Sequence, residues 1–154
     1  MASTTYNTII ISDTDPLRFE KKAAGVAITP GELLYLATAD TVGIFNTANG
    51  NAAPLFAIEN PYAEPVAGTP AIDKTYGTAD TVYFTHARAG DQIYAWLEPN
   101  GSVNAGGYLS AGGTVGALQA YAGGTALAPL RVVGFALESK TASSSRVRVK
   151  IQAV

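Results

Sequence analysis

Cysteine is absent from this chain of 154 residues, so neither a disulfide nor a thiolate metal site can hold it together. Histidine occurs once, as His86. An imidazole centre needs a second ligand or an orienting group, and the surrounding "YFTHARAGD" supplies neither, so His86 reads as a loop or strand-end side chain. Charge is also scarce: Asp, Glu, Lys and Arg make up 14% of the chain, against roughly 25% in an ordinary soluble domain. Such a surface is either rich in Ser, Thr, Asn and Ala or covered in part by another protein, and composition does not choose between them. A net charge of -2 excludes the global basic field that nucleic acid or an anionic membrane would require. No segment has the length of a membrane span. "MASTTYNTII" has no basic region followed by an apolar run, so no signal peptide is expected and the protein reads as soluble and made in the cytoplasm. Long amphipathic helices are missing too, since no helical window beyond about two turns is free of glycine or proline.

What the chain does have is strand and turn chemistry. Sixteen glycines and eight prolines divide it into short runs such as "TVYFTHA" (81–87), "QIYAWLE" (92–98), "LRVVGFALE" (130–138) and "RVRVKIQAV" (146–154). These are rich in β-branched and aromatic residues and bounded by Gly, Pro, Asn or Asp. "ITPGELL" has the Pro-Gly order of a type II turn, "ARAGDQI" places Ala-Gly-Asp between two runs, and "EPNGSV" carries the Asn-Gly pair that favours a tight hairpin. The expected fold is all-β, a compact small β-barrel or sandwich body with an extended N-terminal arm. The expected division is an arm over residues 1–17 and a single β-rich domain over 18–154. Within that domain "FAIE" at 56–59 echoes "FALE" at 135–138. The echo extends from Gly25 to Glu59 and from Gly101 to Glu138, with Gly31 and Gly107 at the matching turns, and suggests two similar β units (25–59 and 101–138).

Little in the chain has the spacing of reactive groups. Asp13 and Asp15 in "SDTDP" are spaced like the start of a calcium loop but lack its central glycine and closing glutamate, so they read as a turn before Pro16. "GYLSAGGTVGAL" has no Gly-Lys-Ser/Thr ending and is no phosphate cradle. Asp91 and Glu98 are the one plausible carboxylate pair for a small hydrolase. The expectation is a non-enzyme with no cofactor and no metal.

Three stretches are better placed for binding. Tyr83, Tyr94 and Trp96 lie on adjacent strand runs and suit either a subunit interface or an exposed stacking platform. Arg146, Arg148 and Lys150 alternate with Val147, Val149 and Ile151, giving a half-buried strand with a basic outer face that either protects a sheet edge or docks on an acidic surface. The uncharged segment from Ala2 to Ile11 is either an edge strand of its own sheet or an arm that adds to a neighbour's.

Taken in order, "ITPGELLYL", "NGNAAPLFAIEN", "YGTADTVYFTHARAGDQIYAWL", "GSVNAGGYLSAGGTVGAL" and "VVGFALES" before "RVRVKI" resemble the capsid cement, or head decoration, proteins of tailed bacteriophages, from about Ala24 to Ile151. The resemblance implies a β-rich body on the outer surface of an expanded head. It also implies a homotrimer that contacts the major capsid protein, while the charge balance leaves no nucleic acid and no membrane among the expected partners. The arm would then be the anchor, through Thr4, Thr5, Tyr6, Asn7, Thr8, Ile9, Ile10 and Ile11. The competing expectation is a carbohydrate-binding or host-adhesion module displayed on the virion.

Overall fold

The runs rich in Val, Ile, Thr and aromatic residues become strands, and the glycine- and proline-bearing stretches between them become turns. A computed structural model describes residues 6, 8–12, 18–63, 67–122 and 131–154. Among these the chain is all-β, apart from 3-10 helix at Ala71–Asp73 and at Arg131. Strands β2 (Arg18–Ala23), β3 (Leu34–Leu36), β4 (Thr41–Ile44), β5 (Leu55–Ala57) and β6 (Thr81–His86) form one sheet in the order β3-β4-β2-β6-β5. The bridge between Leu33 and Phe56 joins its two ends. Strands β7 (Gln92–Leu97), β9 (Tyr108–Ala111), β10 (Leu118–Ala120), β11 (Val132–Ala136) and β13 (Val147–Ala153) form a closed five-stranded barrel in the order β7-β10-β9-β11-β13, sealed by β13 against β7. β1 (Ile10–Ser12) adds to the free half of the β7 edge, and β8 (Ser102–Val103) pairs with β12 (Lys140–Thr141) as a short ribbon.

These two units share one connectivity. β2, β3, β4, β5 and β6 correspond to β7, β9, β10, β11 and β13, and in each unit only the first and third of these pair in parallel. The registers also coincide. Ala23 lies opposite Val42 as Leu97 lies opposite Leu118, and Phe19 opposite Phe84 as Ile93 opposite Ile151. Ala57 lies opposite Phe84 as Ala136 lies opposite Ile151. Hydrogen bonds repeat with them: Gly31 donates to the Ala57 carbonyl at 2.8 Å and Gly106 to that of Ala136 at 2.7 Å, while Ile58 donates to Tyr83 and Leu137 to Lys150, both at 2.9 Å. FAIE and FALE therefore hold equivalent places in two like-folded units. The turn glycine matching Gly31 (φ +91°) is Gly106 (φ +82°) rather than the expected Gly107, because the left-handed turn falls one residue earlier.

Thr29 to Glu32 is the turn that Pro30 and Gly31 suggest, closed by a 3.1 Å bond from the Glu32 amide to the Thr29 carbonyl. The Asn-Gly pair behaves differently. Asn100 takes the left-handed conformation (φ +59°), but the strand that follows is β8, which pairs with β12, so this turn is not a hairpin between neighbours.

Alternation along β7 and β13 sends Ile93, Ala95, Leu97, Val149, Ile151 and Ala153 into the second barrel, where all are buried. Leu33, Phe56, Ile58, Ile72 and Ala87 from the first unit join the same apolar cluster, so the two units share a continuous core. Inside the first unit Leu34, Val42, Leu55, Ala57, Val82 and Phe84 form a smaller cluster of their own.

Candidate functional site

The seam between the units gathers most of the aromatic and basic residues that the sequence marks out. Arg148 lies opposite Trp96 and Lys150 opposite Tyr94 in the β13–β7 pairing, so the cations stand directly across from the rings. The Arg148 guanidinium carbon sits 4.1 Å from the Trp96 ring centroid and that of Arg146 sits 4.4 Å away, within the range of a cation–π contact. Trp96 donates from its indole nitrogen to the Pro30 carbonyl at 2.9 Å. Arg148 reaches across the seam as well: Nη1 to Asp73 Oδ1 at 2.5 Å, and Nη2 to the carbonyls of Ile72 (2.5 Å) and Pro30 (3.1 Å). Arg146 pairs with Glu32, whose second carboxylate oxygen accepts from the Thr29 amide at 2.8 Å. Arg148 is consequently a bolt between the units, its side chain only 9% exposed, and Arg146 is engaged within the chain too.

The sequence gives weak notice of the partners. Glu32 stands inside the apolar run "GELLYL", and a lone acid in such a setting is the available signal for a buried ion pair. Asp73 and Ile72 lie on a long excursion between β5 and β6 whose counterpart between β11 and β13 is short. No pattern in the sequence points that excursion across the seam.

Tyr94 is buried and Trp96 lies beneath two guanidinium groups, so these rings offer no open stacking face. Burial raises the Tyr94 hydroxyl pKa above its ordinary value, helped by the Glu138 carboxylate. Tyr83 sits apart from them on β6, next to Tyr62 at 5.8 Å between centroids. Tyr62 is 79% exposed and shares with Tyr83 and Tyr76 an open groove of about 340 Å³, bounded by Asn60, Lys74 and Asp80. At its floor Tyr76 donates to the Ile58 carbonyl at 2.7 Å, and burial pushes its pKa well above the usual tyrosine value.

The N-terminal residues fall in two groups. Thr4, Thr5 and Asn7, like Asp13 and Asp15, lie outside the described residues. Tyr6 meets the Tyr94 ring edge-on at 5.2 Å and lies 5.4 Å from the Lys150 ammonium. Thr8 is exposed, with its hydroxyl donating to the Ile10 carbonyl at 2.9 Å. Ile9 is fully buried, donates to Glu59 Oε2 at 3.1 Å, and accepts from the Tyr94 amide at 2.8 Å. Ile10 and Ile11 belong to β1 and pack against the shared core. This part of the segment is a strand of the chain's own sheet.

Asp91 and Glu98 flank the two ends of β7, with the whole strand between them. Seven residues of strand span about 23 Å, while paired glycosidase carboxylates stand about 5–10 Å apart, so these two cannot act on one bond. Asp91 Oδ2 caps the Arg88 amide at 2.7 Å and Glu98 Oε2 accepts from Gly113 at 3.1 Å, both turn-stabilising roles. Among the described residues no group of three or more His, Asp or Glu side chains is placed to hold a metal ion. His86 ends β6, exposed at the rim of a second opening.

That opening is the mouth of the first unit. Phe19, Leu36, Leu55 and Phe84 line a hollow of about 220 Å³, with Lys21 and His86 at its rim. Phe19 stacks on Phe84 at 5.6 Å yet stays 45% exposed, and Leu36 is 56% exposed.

No protein-family model matches the chain, and no curated protein matches it. Among solved structures, the head fiber gp8.5 N base of bacteriophage phi29 has a similar fold, with a TM-score of 0.56 and 13% identity, over 90% of this chain and 93% of that one. The likeness takes in both units, since either alone falls far short of that coverage.

Proposed function

We propose that this protein is a structural component of a tailed-bacteriophage head, seated on its outer surface as a cement or decoration protein that stabilises contacts between major capsid protein subunits, as a homotrimer. The observation that carries this reading is the likeness in fold, across nearly the full length of both chains, to the base of a phage head fiber. The chemistry of the chain agrees. Its buried polar contacts bind one unit to the other rather than converging on a pocket, and few charges remain on a surface suited to broad protein contact. Many copies on one shell would make individually modest contacts collectively strong.

The test is co-sedimentation of the purified protein with expanded, undecorated heads of the phage that encodes it, counting bound copies at saturation. A fixed number set by the icosahedral lattice is expected, and absence of binding would overturn the reading. A second reading, a displayed adhesion module, draws on the groove at Tyr62 and Tyr83, where two phenol rings stand beside Asn60 and Asp80. Glycan-array binding abolished by Tyr62→Ala would favour it.

A further inference from the structure

The internal repeat shows what is missing from one of its halves. In the second barrel, β10 covers only the far end of β7, and β1 fills the remaining edge: Ile10 lies opposite Ile93, and the Tyr94 amide donates to Ile9. The first unit has the same half-covered edge. β4 pairs with β2 only at Lys22 and Ala23, and among the described residues nothing pairs with Arg18, Phe19 or Glu20 on that side.

Glu20 corresponds to Tyr94. Its partner on the other side is Tyr83, whose carbonyl accepts from Ile58 and so faces away from β2. In an antiparallel ladder both members of such a pair direct their amide and carbonyl outward. The Glu20 N–H and C=O therefore point to the uncovered edge, as those of Tyr94 point to β1. Side-chain burial tells the same story: Phe19 is 45% and Leu36 is 56% exposed, whereas their counterparts Ile93 and Ala111 are each 1% exposed.

We propose that the edge of β2 at Arg18–Glu20 is a docking site for an extended segment of a different protein, which adds as an antiparallel strand. It would place an aliphatic side chain opposite Phe19, over the hollow lined by Leu36, Leu55 and Phe84. Strand addition supplies main-chain hydrogen bonds and the hollow supplies selectivity. The segment is acidic at its flank, because β2 presents Arg18, Lys21 and Lys22 against one Glu20 and His86 stands at the rim. It comes from another protein because this chain's own strand of the right pattern, Ile9 to Ser12, is already committed to β7. The inference deepens the capsid reading and rests on it only in taking the shell protein as the source of the segment; the edge itself follows from the repeat.

The experiment uses the full chain and a synthetic peptide of residues 8–15, "TIIISDTD". This strand seats on the equivalent edge, where the register of β1 on β7 would set Ser12 opposite Arg18 and Asp13 one position beyond it. Saturable binding is expected, with exchange of the Glu20 amide slowed at least tenfold. Phe19→Asp and, separately, Leu36→Asp should each weaken binding at least tenfold; both residues are solvent-facing enough for the fold to survive. N-methylating the peptide on alternate residues should abolish binding in one frame and spare it in the other. No protection at Glu20, or protection confined to Tyr94 through exchange with β1, would overturn the proposal. So would Glu20 protection that grows with protein concentration without peptide, which would give the edge to a second copy. Peptide binding with no co-sedimentation on heads would leave the edge standing and remove the capsid reading.

Discussion

Replacing Arg148 by alanine tests whether the basic strand of the C-terminus serves the fold or the surface. In the structure Arg148 satisfies the Ile72 carbonyl, shares the Pro30 carbonyl with Trp96, and lies 4.1 Å over the Trp96 ring. Losing the donor to a buried carbonyl costs about 1–3 kcal/mol, and the partly desolvated stacking adds about 1–2 kcal/mol. The ion pair to Asp73, whose side chain is 47% exposed, adds no more than about 1 kcal/mol. One contribution runs the other way: Arg148 Nε is buried without a hydrogen-bond partner, and its removal returns about 1 kcal/mol. The expected net loss is about 3 kcal/mol, which for a chain of this size lowers Tm by roughly 6–12 °C. Urea denaturation and calorimetry of Arg148→Ala, Asp73→Ala and the Arg148→Ala/Trp96→Phe pair would measure it. Asp73→Ala should cost under about 1 kcal/mol, and the double-mutant cycle should show coupling above about 0.5 kcal/mol. A loss below about 1 kcal/mol for Arg148→Ala, or an equal loss for Asp73→Ala, would refute the assignment of Arg148 as a bolt between the units.

Gly134→Ala would place a Cβ 2.5 Å from the Gln152 carbonyl oxygen, so closure of the barrel between β11 and β13 should suffer by at least about 2 kcal/mol; wild-type stability in denaturant melts would contradict this. Tyr76 has a raised pKa in the folded chain, so the folded state holds its proton above the pH at which the unfolded state releases it. Its stabilising effect is complete below about pH 10 and is lost as pH rises beyond that; Tyr76→Phe should be less stable at pH 8 yet show a shallower alkaline decline, and an unchanged slope would sink the idea. Deleting residues 2–11 should weaken capsid attachment at least tenfold if the arm is the anchor, with equal attachment of the truncated protein arguing against it. The same deletion removes the buried Ile9 at a cost of about 2–4 kcal/mol, so attachment must be compared at a temperature where both proteins are folded. Charge reversal at Lys150, the member of the basic row that forms no ion pair among the described residues, should alter capsid binding mainly at low salt; an effect undiminished at high salt would rule out surface steering.

The all-β class and most strand positions are legible in the sequence, because β-branched and aromatic runs bounded by glycine carry a local signal. Alternation alone sorts Val149 and Ile151 inward and Arg148 outward. It cannot say what lies outside, and there Arg148 meets not solvent but the first unit. The repeat is legible in FAIE and FALE and misleading between them. Matching "YLATADTVG" to "YLSAGGTVG" letter by letter sets Leu36 on Leu109, whereas the ladders set Leu34 there. The turn after β9 is longer than that after β3, and the similar letters lie in different parts of the two hairpins. Long-range contacts such as Glu32 with Arg146 and Asp73 with Arg148 join residues far apart in the chain, and a single sequence holds no trace of them beyond an acid in an apolar setting.

The two like-folded units differ in a direction that bears on where recognition can occur. In the second barrel the edge, the mouth and the outer face of β7 are all occupied, by β1, by apolar side chains and by the seam. Tyr94 and Trp96 are spent on that internal contact, which removes them as a glycan platform. The first unit keeps its edge at Glu20, its mouth at Phe19 and Leu36, and its exposed Tyr62. Where two like-folded units share one core, stability can rest on that core while one unit keeps a half-edge that no described residue covers. If the first unit is the binding half, surface substitutions at Phe19, Leu36 and Tyr62 should change partner binding with stability nearly untouched, while substitutions at Trp96 and Arg148 should do the reverse. A chain in which Trp96→Phe altered binding at constant stability would show that the seam opens on contact with its partner, and would move the recognition surface to the other half of the molecule.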